Sequence, residues 1–202
     1  LKRTMQVASV IGRDFAFRIL QTITGMREEL KSYLLNLQGL EFIYEKNLFP
    51  ELEYIFKHAL TQEVAYNSLL HKRRKEIHEK IGRALEELYP DRLEEFYEML
   101  GYHYSRSDNF EKACHYLKLS GKKAEGKFCS WEAIGFYKET IDILNRQTED
   151  EKKKREDDLF DINKRFDLIK EDFKNILSRK SEIILDSINL LQKDSKKAKK
   201  RK

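Results

Sequence analysis

The sequence predicts a mainly α-helical fold in which one small β-hairpin interrupts a series of helices. Three observations carry that expectation. Glycine (8) and proline (2) are scarce among 202 residues, which disfavours a turn-rich β fold. Apolar residues recur at helical spacing along most of the chain. Two short neighbouring runs instead have the character of strands. Hydrophobic residues make up 40% and charged residues 37%, so the chain is charge-rich but still able to bury a core. Its length suits one large domain or two small ones.

In chain order, "DFAFRILQTI" opens on Asp14, a good helix N-cap. "MREELKSYLLNLQGL" places Leu30, Leu34 and Leu37 on one face, with Gly39 as the expected stop. "EFIYE" and "LEYIFKH" read as strands, and in the second Leu52, Tyr54, Phe56 and His58 share a face. "KNLFPE" between them has turn character at Pro50. Three helices followed by a small hairpin are the parts of a winged helix, assigned to residues 1–88. Thr61 is the expected cap of the next helix. In "HKRRKEIHEKIGRALEELY" an apolar stripe runs through Leu70, Ile77, Ile81, Ala84 and Leu88, away from Lys72, Arg73, Lys75, Glu76, Glu79 and Arg83.

After Pro90 only helices are expected. "DRLE" at Asp91 and "DNFE" at Asp108 read as capping boxes. "FYEMLGYHYSRSDNFEKACHYLKLS" fits a tetratricopeptide (TPR) unit. Tyr97, Leu100, Gly101 and Tyr104 occupy its first helix, and Ala113, Leu117 and Ser120 its second. Ala133 and Tyr137 repeat the small-then-aromatic element 20 residues after Ala113 rather than 34, so the repeats are imperfect. Residues 89–146 are therefore assigned to TPR-like helices of an α-solenoid. Residues 147–192 read as a charged helical extension, solenoid or coiled coil. Its apolar seam runs through Leu159, Ile162, Phe166, Ile169, Phe173, Ile176, Ile183 and Leu190, and Lys180 and Ser187 interrupt it. Residues 193–202 read as a disordered basic tail.

That tail carries six of the positive charges in excess, against a net +5 for the whole chain, so the other residues together sum to about −1. A generally basic, nucleic-acid-coating protein is thereby disfavoured. No apolar run approaches the roughly 20 residues needed to span a bilayer, and no signal peptide is visible. Cys114 and Cys129, the only cysteines, lack metal or redox spacing and fit a reducing cytoplasm as packing residues. The chain begins with Leu rather than Met, which suggests a piece of a longer protein.

Enzyme chemistry finds no motif. There is no G-x-x-x-x-G-K-[ST] loop and no G-x-S-x-G, so no catalytic residue is assigned and no enzyme is expected. His71 and His78 lie two helical turns apart, about 10.5 Å of rise, too far to share one zinc at about 2 Å each. No metal site is assigned, and both read as helix-surface residues. Lys72, Arg73, Arg74 and Lys75 form a candidate surface for an anionic partner, or simply a solvated face. Nucleic acid is not the expected partner. The helix in the recognition position, "MREELKSYLLNLQ", sets Arg27 and Lys31 against Glu28 and Glu29. A DNA-binding winged-helix regulator and a free-standing TPR scaffold remain the alternatives.

"VASVIGRDF", "YIFKHALTQEVAYNSLLHKRRKEIHEKIGRALEELY" and "LGYHYSRSDNFEKACHYLKLSGKKA" follow one another over roughly residues 5–145. Together they resemble the STAND class of AAA+-related signal-transduction ATPases, including those associated with adenylate/guanylate cyclase domains and TPR arrays. The resemblance implies a non-catalytic, cytoplasmic regulatory segment that itself holds no cofactor. ATP or ADP and Mg would sit in an ATPase domain upstream of Leu1. The partners implied are that domain and a protein or small-ligand signal on the solenoid, with no membrane. In such ATPases a histidine of a Met-His-Asp-like motif approaches the nucleotide's β-phosphate. His58 in "FKHAL" is the matching residue, with Ala59 where the motif has its acid. The alternative role for His58 is a hydrogen bond to nearby backbone.

Overall fold

The computed structural model describes residues 1–48, 51–145, 160, 162–172, 174–175 and 178–179. The expected turn at Pro50, the basic tail and the seam positions Leu159, Phe173, Ile176, Lys180, Ile183, Ser187 and Leu190 lie outside the described residues. The fold is mainly helical with one small antiparallel sheet.

The first elements are α1 (Lys2–Ile11), β1 (Asp14–Ala16), α2 (Phe17–Thr24), α3 (Glu28–Gly39), β2 (Ile43–Asn47) and β3 (Glu53–Phe56). The sheet order is β1–β3–β2, antiparallel throughout. Both strands expected from the sequence form, and β1 is an addition. Asp14 is therefore a strand residue and not a cap, because α2 begins at Phe17. Three residues are too few to display a period. They are strand because β3 offers an edge, with Phe15 opposite Tyr54 and the Phe56 amide donating to Arg13 O at 3.0 Å. Phe15 packs its ring against Tyr54 and Phe56, at centroid distances of 5.8 and 5.6 Å. Around these rings the core gathers Val7, Ile11, Leu20, Leu30, Leu34 and Leu37, all buried.

Gly39 does not stop α3; it is the helix's last residue. Glu41 takes the left-handed position at φ 58°. The Phe42 amide donates to Leu37 O and the Glu41 amide to Gln38 O, the paired bonds of a Schellman end. Tyr54 and Phe56 are buried as expected, but His58 leaves their face, because β3 ends at Phe56 and the chain turns into α4 (Ala59–Asn67). The N-cap of α4 is His58, so Thr61 is a first-turn residue and not the cap. The amphipathic helix forms as α5 (His71–Leu88), burying Ile77, His78, Ile81, Gly82, Ala84 and Leu85. Leu70 is 81% exposed at its N-cap and drops out of the stripe.

A 3-10 turn over Pro90–Arg92 leads to α6 (Leu93–Ser105), and α7 (Phe110–Gly126) and α8 (Ser130–Asn145) follow. Neither expected capping box forms. Asp91 lies within the 3-10 turn, and α6 has no side-chain cap. At α7 it is Asn109 Oδ1 that accepts the Lys112 amide at 3.2 Å, while Asp108 accepts Lys75 Nζ at 2.5 Å. By compactness the chain divides into a unit Leu1–Ser120 and a second that begins at Gly121. The boundary expected at residue 88 falls inside the first unit, where α5 packs on α1, α2 and α6.

Three helix glycines admit large side chains of a neighbouring helix. In the first unit a Cβ on Gly82 would lie 2.5 Å from Tyr104 Cζ, and one on Gly101 would lie 3.0 Å from Leu117. In the second, a Cβ on Gly121 would lie 2.7 Å from the Tyr137 ring. Ala113, Leu117 and Ser120 are buried in the first unit, and Ala133 and Tyr137 in the second. Residues 162–172 are helical, with Ile162 buried and Arg165 bonded to Glu125.

Candidate functional site

His58 ends the sheet and starts α4. Its backbone is extended (φ −122°, ψ 134°), and its carbonyl accepts the amides of Thr61 and Gln62. The ring is exposed and makes no cap bond to backbone. The Glu41 carboxyl is held low chiefly by Lys57 Nζ at 2.5 Å.

The basic cluster at the start of α5 is largely spoken for within the chain. Arg73 donates to Glu76 at 2.6 Å, and Lys75 donates to Asp108 at 2.5 Å. Arg74 donates its Nε to Leu69 O at 3.0 Å and lies 4.7 Å over the Tyr66 ring. Lys72 is exposed and carries no such bond among the described residues.

The unexpected cluster is behind these residues. His78 and His103 are each 1% exposed, and their Nδ1 atoms lie 2.9 Å apart across the α5–α6 contact. This corrects the surface reading of His78. A helix places residues 78, 81, 82 and 85 on one face, and that is the buried face of α5. The Tyr66 hydroxyl lies 3.3 Å from His78 Nε2, and His103 Nε2 has no partner among the described residues. Tyr66 and Tyr102 each meet the His78 ring edge-on, with centroids 6.1 Å away.

Proton positions follow from what is left unpaired. An Nδ1–Nδ1 bond needs one donor and one acceptor, so the two neutral rings are opposite tautomers. If His78 donated, His103 would carry a buried, unbonded Nε2–H. If His103 donates, its Nε2 is a bare lone pair, and His78 donates from Nε2 to the Tyr66 oxygen. An orphaned acceptor is tolerated better than an orphaned N–H, so the second arrangement is assigned. Burial, then the charges of Arg106 and Arg74, pushes His78 down to about 4. Burial, then His78 and Arg106, pushes His103 well below the ordinary histidine value. Both rings are neutral at pH 7.

Tyr66 and Tyr102 also wall a recess of about 400 Å³ with Ser9, Gln62, Glu63 and Asn67. Gln62 is fixed there by donating to Ser9 O at 2.8 Å. A second recess of about 330 Å³ has Phe15, Tyr89 and Phe96 in its walls. Its carboxylates are internally engaged: Asp14 by Lys46 at 3.1 Å, Glu53 by Asn47 at 2.7 Å, and Glu51 by the Tyr89 hydroxyl at 2.6 Å. Among the described residues no three His, Cys, Asp or Glu side chains are grouped to hold a metal ion. Cys114 is buried and Cys129 half-buried. Among the described residues no helix is long and apolar enough to cross a membrane.

Of the residues singled out in the sequence, His78 is at the centre of this cluster and Arg74 lies over its Tyr66; His58 is not among the residues that form it. His103 was missed because a single histidine in "GYHYS" has no motif. Only the packing of α5 on α6 pairs it with a residue 25 positions earlier. Comparison of the chain with family models, with characterised proteins and with solved structures finds no match.

Proposed function

We propose that this chain is a non-catalytic regulatory and protein-interaction segment of a STAND-type ATPase. In that reading a winged helix couples the nucleotide state of an upstream ATPase domain to a TPR-like sensor solenoid. The observation that carries it is the order helix–strand–helix–helix–strand–strand with sheet order β1–β3–β2, the arrangement expected of a winged helix. The helices that follow, with Gly82 and Gly101 opposite Tyr104 and Leu117, support a solenoid of close-packed pairs.

The mechanism is a two-state docking. ADP in the upstream domain favours the packed state, in which His58 reaches the β-phosphate. ATP exchange, or a partner on the solenoid, favours release. His58 suits the role because its ring is exposed, not spent on a backbone bond, and held where β3 hands over to α4. In the full-length protein His58→Ala is expected to weaken ADP retention by about tenfold, the worth of one hydrogen bond to a charged group. Unchanged ADP affinity with unchanged basal activity would overturn the role of His58. Coding sequence upstream of Leu1 without a P-loop would overturn the STAND reading itself.

A further inference from the structure

The recess of about 330 Å³ beside the sheet is walled by several elements at once. Its volume is at the small end of the range for small-molecule sites. Ile11 comes from α1, Phe15 from β1, Ile19 from α2, Tyr89 from the C-cap of α5, and Phe96 and Met99 from α6. Ile11, Phe15, Ile19 and Tyr89 are buried, and Tyr89 stacks on Phe96 with ring centroids 4.5 Å apart. These walls belong to the packed core, so an apolar group entering the recess meets a surface already formed.

The charged groups of the same lining are Asp14, Lys46, Glu51, Glu53 and Arg92. Two of them cancel, because Lys46 Nζ lies 3.1 Å from Asp14 Oδ2. Arg92 is spent on Glu95, with Nε donating to Oε1 at 2.8 Å. Glu51 and Glu53 differ from these. The Tyr89 hydroxyl lies 2.8 Å from Glu51 Oε1 and 2.6 Å from its Oε2, and Asn47 Nδ2 donates to Glu53 at 2.7 Å. Both donors are uncharged. Among the described residues the one cation near Glu51 is Arg18, with Nε at 4.0 Å on a side chain 57% exposed, against 23% for Glu51. A hydroxyl or an amide satisfies a carboxylate oxygen but does not cancel its charge. Beside an apolar wall that charge is poorly screened. The lining thus combines an apolar surface with negative charge that none of its own cations neutralises.

We propose that this recess binds a small organic cation, a primary ammonium carrying an aromatic or aliphatic body. The body lies against Phe15, Ile19, Phe96 and Met99. The ammonium donates to Glu51, which keeps lone pairs open beside its bond to Tyr89, and Glu53 adds to the attraction. An anion would be repelled by both carboxylates, and a neutral molecule would leave their charge uncancelled. The site does not depend on the ATPase reading.

The test titrates the full 202-residue chain at fixed ionic strength, which holds general screening constant. Phenethylammonium is the probe. Phenethyl alcohol keeps its ring and loses its charge, whereas ethylammonium keeps the charge and loses the ring. Calorimetry gives affinities, and NMR signals of the Ile19 and Met99 methyl groups locate the binding. The expected result is saturable binding of phenethylammonium that shifts both methyl signals. Each truncated probe should bind at least about tenfold more weakly, for the lost charged hydrogen bond or the lost apolar burial. Glu51→Gln keeps an acceptor for Tyr89 and removes the charge, so it should weaken phenethylammonium about tenfold. Glu53→Gln should weaken it at least about threefold through the lost attraction, which decides the question even if Glu51→Gln fails to fold. Glu45→Gln makes the same charge change at an exposed β2 residue outside the recess, and should leave binding within about twofold. No saturable binding, shifts that miss both methyl groups, or equal affinity for either truncated probe would overturn the proposal. So would a loss in Glu45→Gln equal to that in the two recess variants, or no loss in those two.

Discussion

The pairing of His78 with His103 makes stability depend on pH in a definite direction. Both rings are held neutral by burial, so their folded values lie below the unfolded value near 6.5. Below that value the unfolded chain binds more protons than the folded one, and stability falls. Their full contribution is therefore present above pH 6.5 and is lost as pH drops towards 4 and below. For His78 alone the loss at pH 4 is about 2–3 kcal/mol. Urea midpoints at pH 7, 5.5 and 4.5 should decline in the native chain, and His78→Gln should flatten part of that decline. An equally steep decline in the variant would show that other groups carry it. Nothing in the isolated sequence distinguishes His78 from the exposed His71. The difference lies in which side of α5 meets α6.

At the level of elements, the glycines test how the helices meet. Helix propensity alone makes Gly82→Ala favourable by about 1 kcal/mol. The contact opposes it: the new Cβ would stand 2.5 Å from a Tyr104 ring that is fully buried and stacked 5.8 Å from Tyr116. Overpacking of this kind costs roughly 1–3 kcal/mol against a propensity gain of about 1 kcal/mol, so Gly82→Ala should destabilise by up to about 2 kcal/mol. Gly135 in α8 has no atom of the described residues within 4 Å of its would-be Cβ, so Gly135→Ala should stabilise by up to about 1 kcal/mol. Thermal midpoints of the two variants moving the same way would refute this contrast. The α7–α8 turn supplies another case. Phe128 holds φ 59° and is 93% exposed, while the Cys129 amide donates to Ala124 O. A left-handed phenylalanine with no packing to lose should give way to glycine with a gain of roughly 0.5–1 kcal/mol in Phe128→Gly, read by chemical denaturation. The helices themselves were legible from periodicity, and α5 begins at the His71 that opens the motif read from the sequence. The ends were not. Asp14, Thr61, Asp91 and Asp108 each look like caps, yet a cap depends on where the preceding segment delivers the chain. β3 pulled Asp14 into a strand, and Lys75 occupied Asp108.

For the molecule as a whole, charge placement weighs against a nucleic-acid role. In the proposed winged-helix reading α3 takes the position that would meet a duplex, and it exposes Glu28 and Glu29 beside Arg27 and Lys31. Apart from residues 193–202 the chain is about neutral. A chain lacking residues 193–202 should therefore fail to retard duplex DNA even at low salt, where phosphate contacts are strongest. Retardation by that chain that weakens steeply with salt would restore the DNA-binding alternative.

What the sequence determined by itself was local. Apolar spacing specified the helices, and β-like runs specified β2 and β3, because such patterns are set by side chains a few positions apart. Tertiary structure decided the rest: the strand status of Asp14–Ala16, the burial of His78, its bond to His103, and the edge-on packing of Tyr66 and Tyr102 on its ring. Each of these joins residues distant in the chain, through contacts that exist only once α4, α5, α6 and the sheet have packed. Local periodicity carries no record of which face will find which partner.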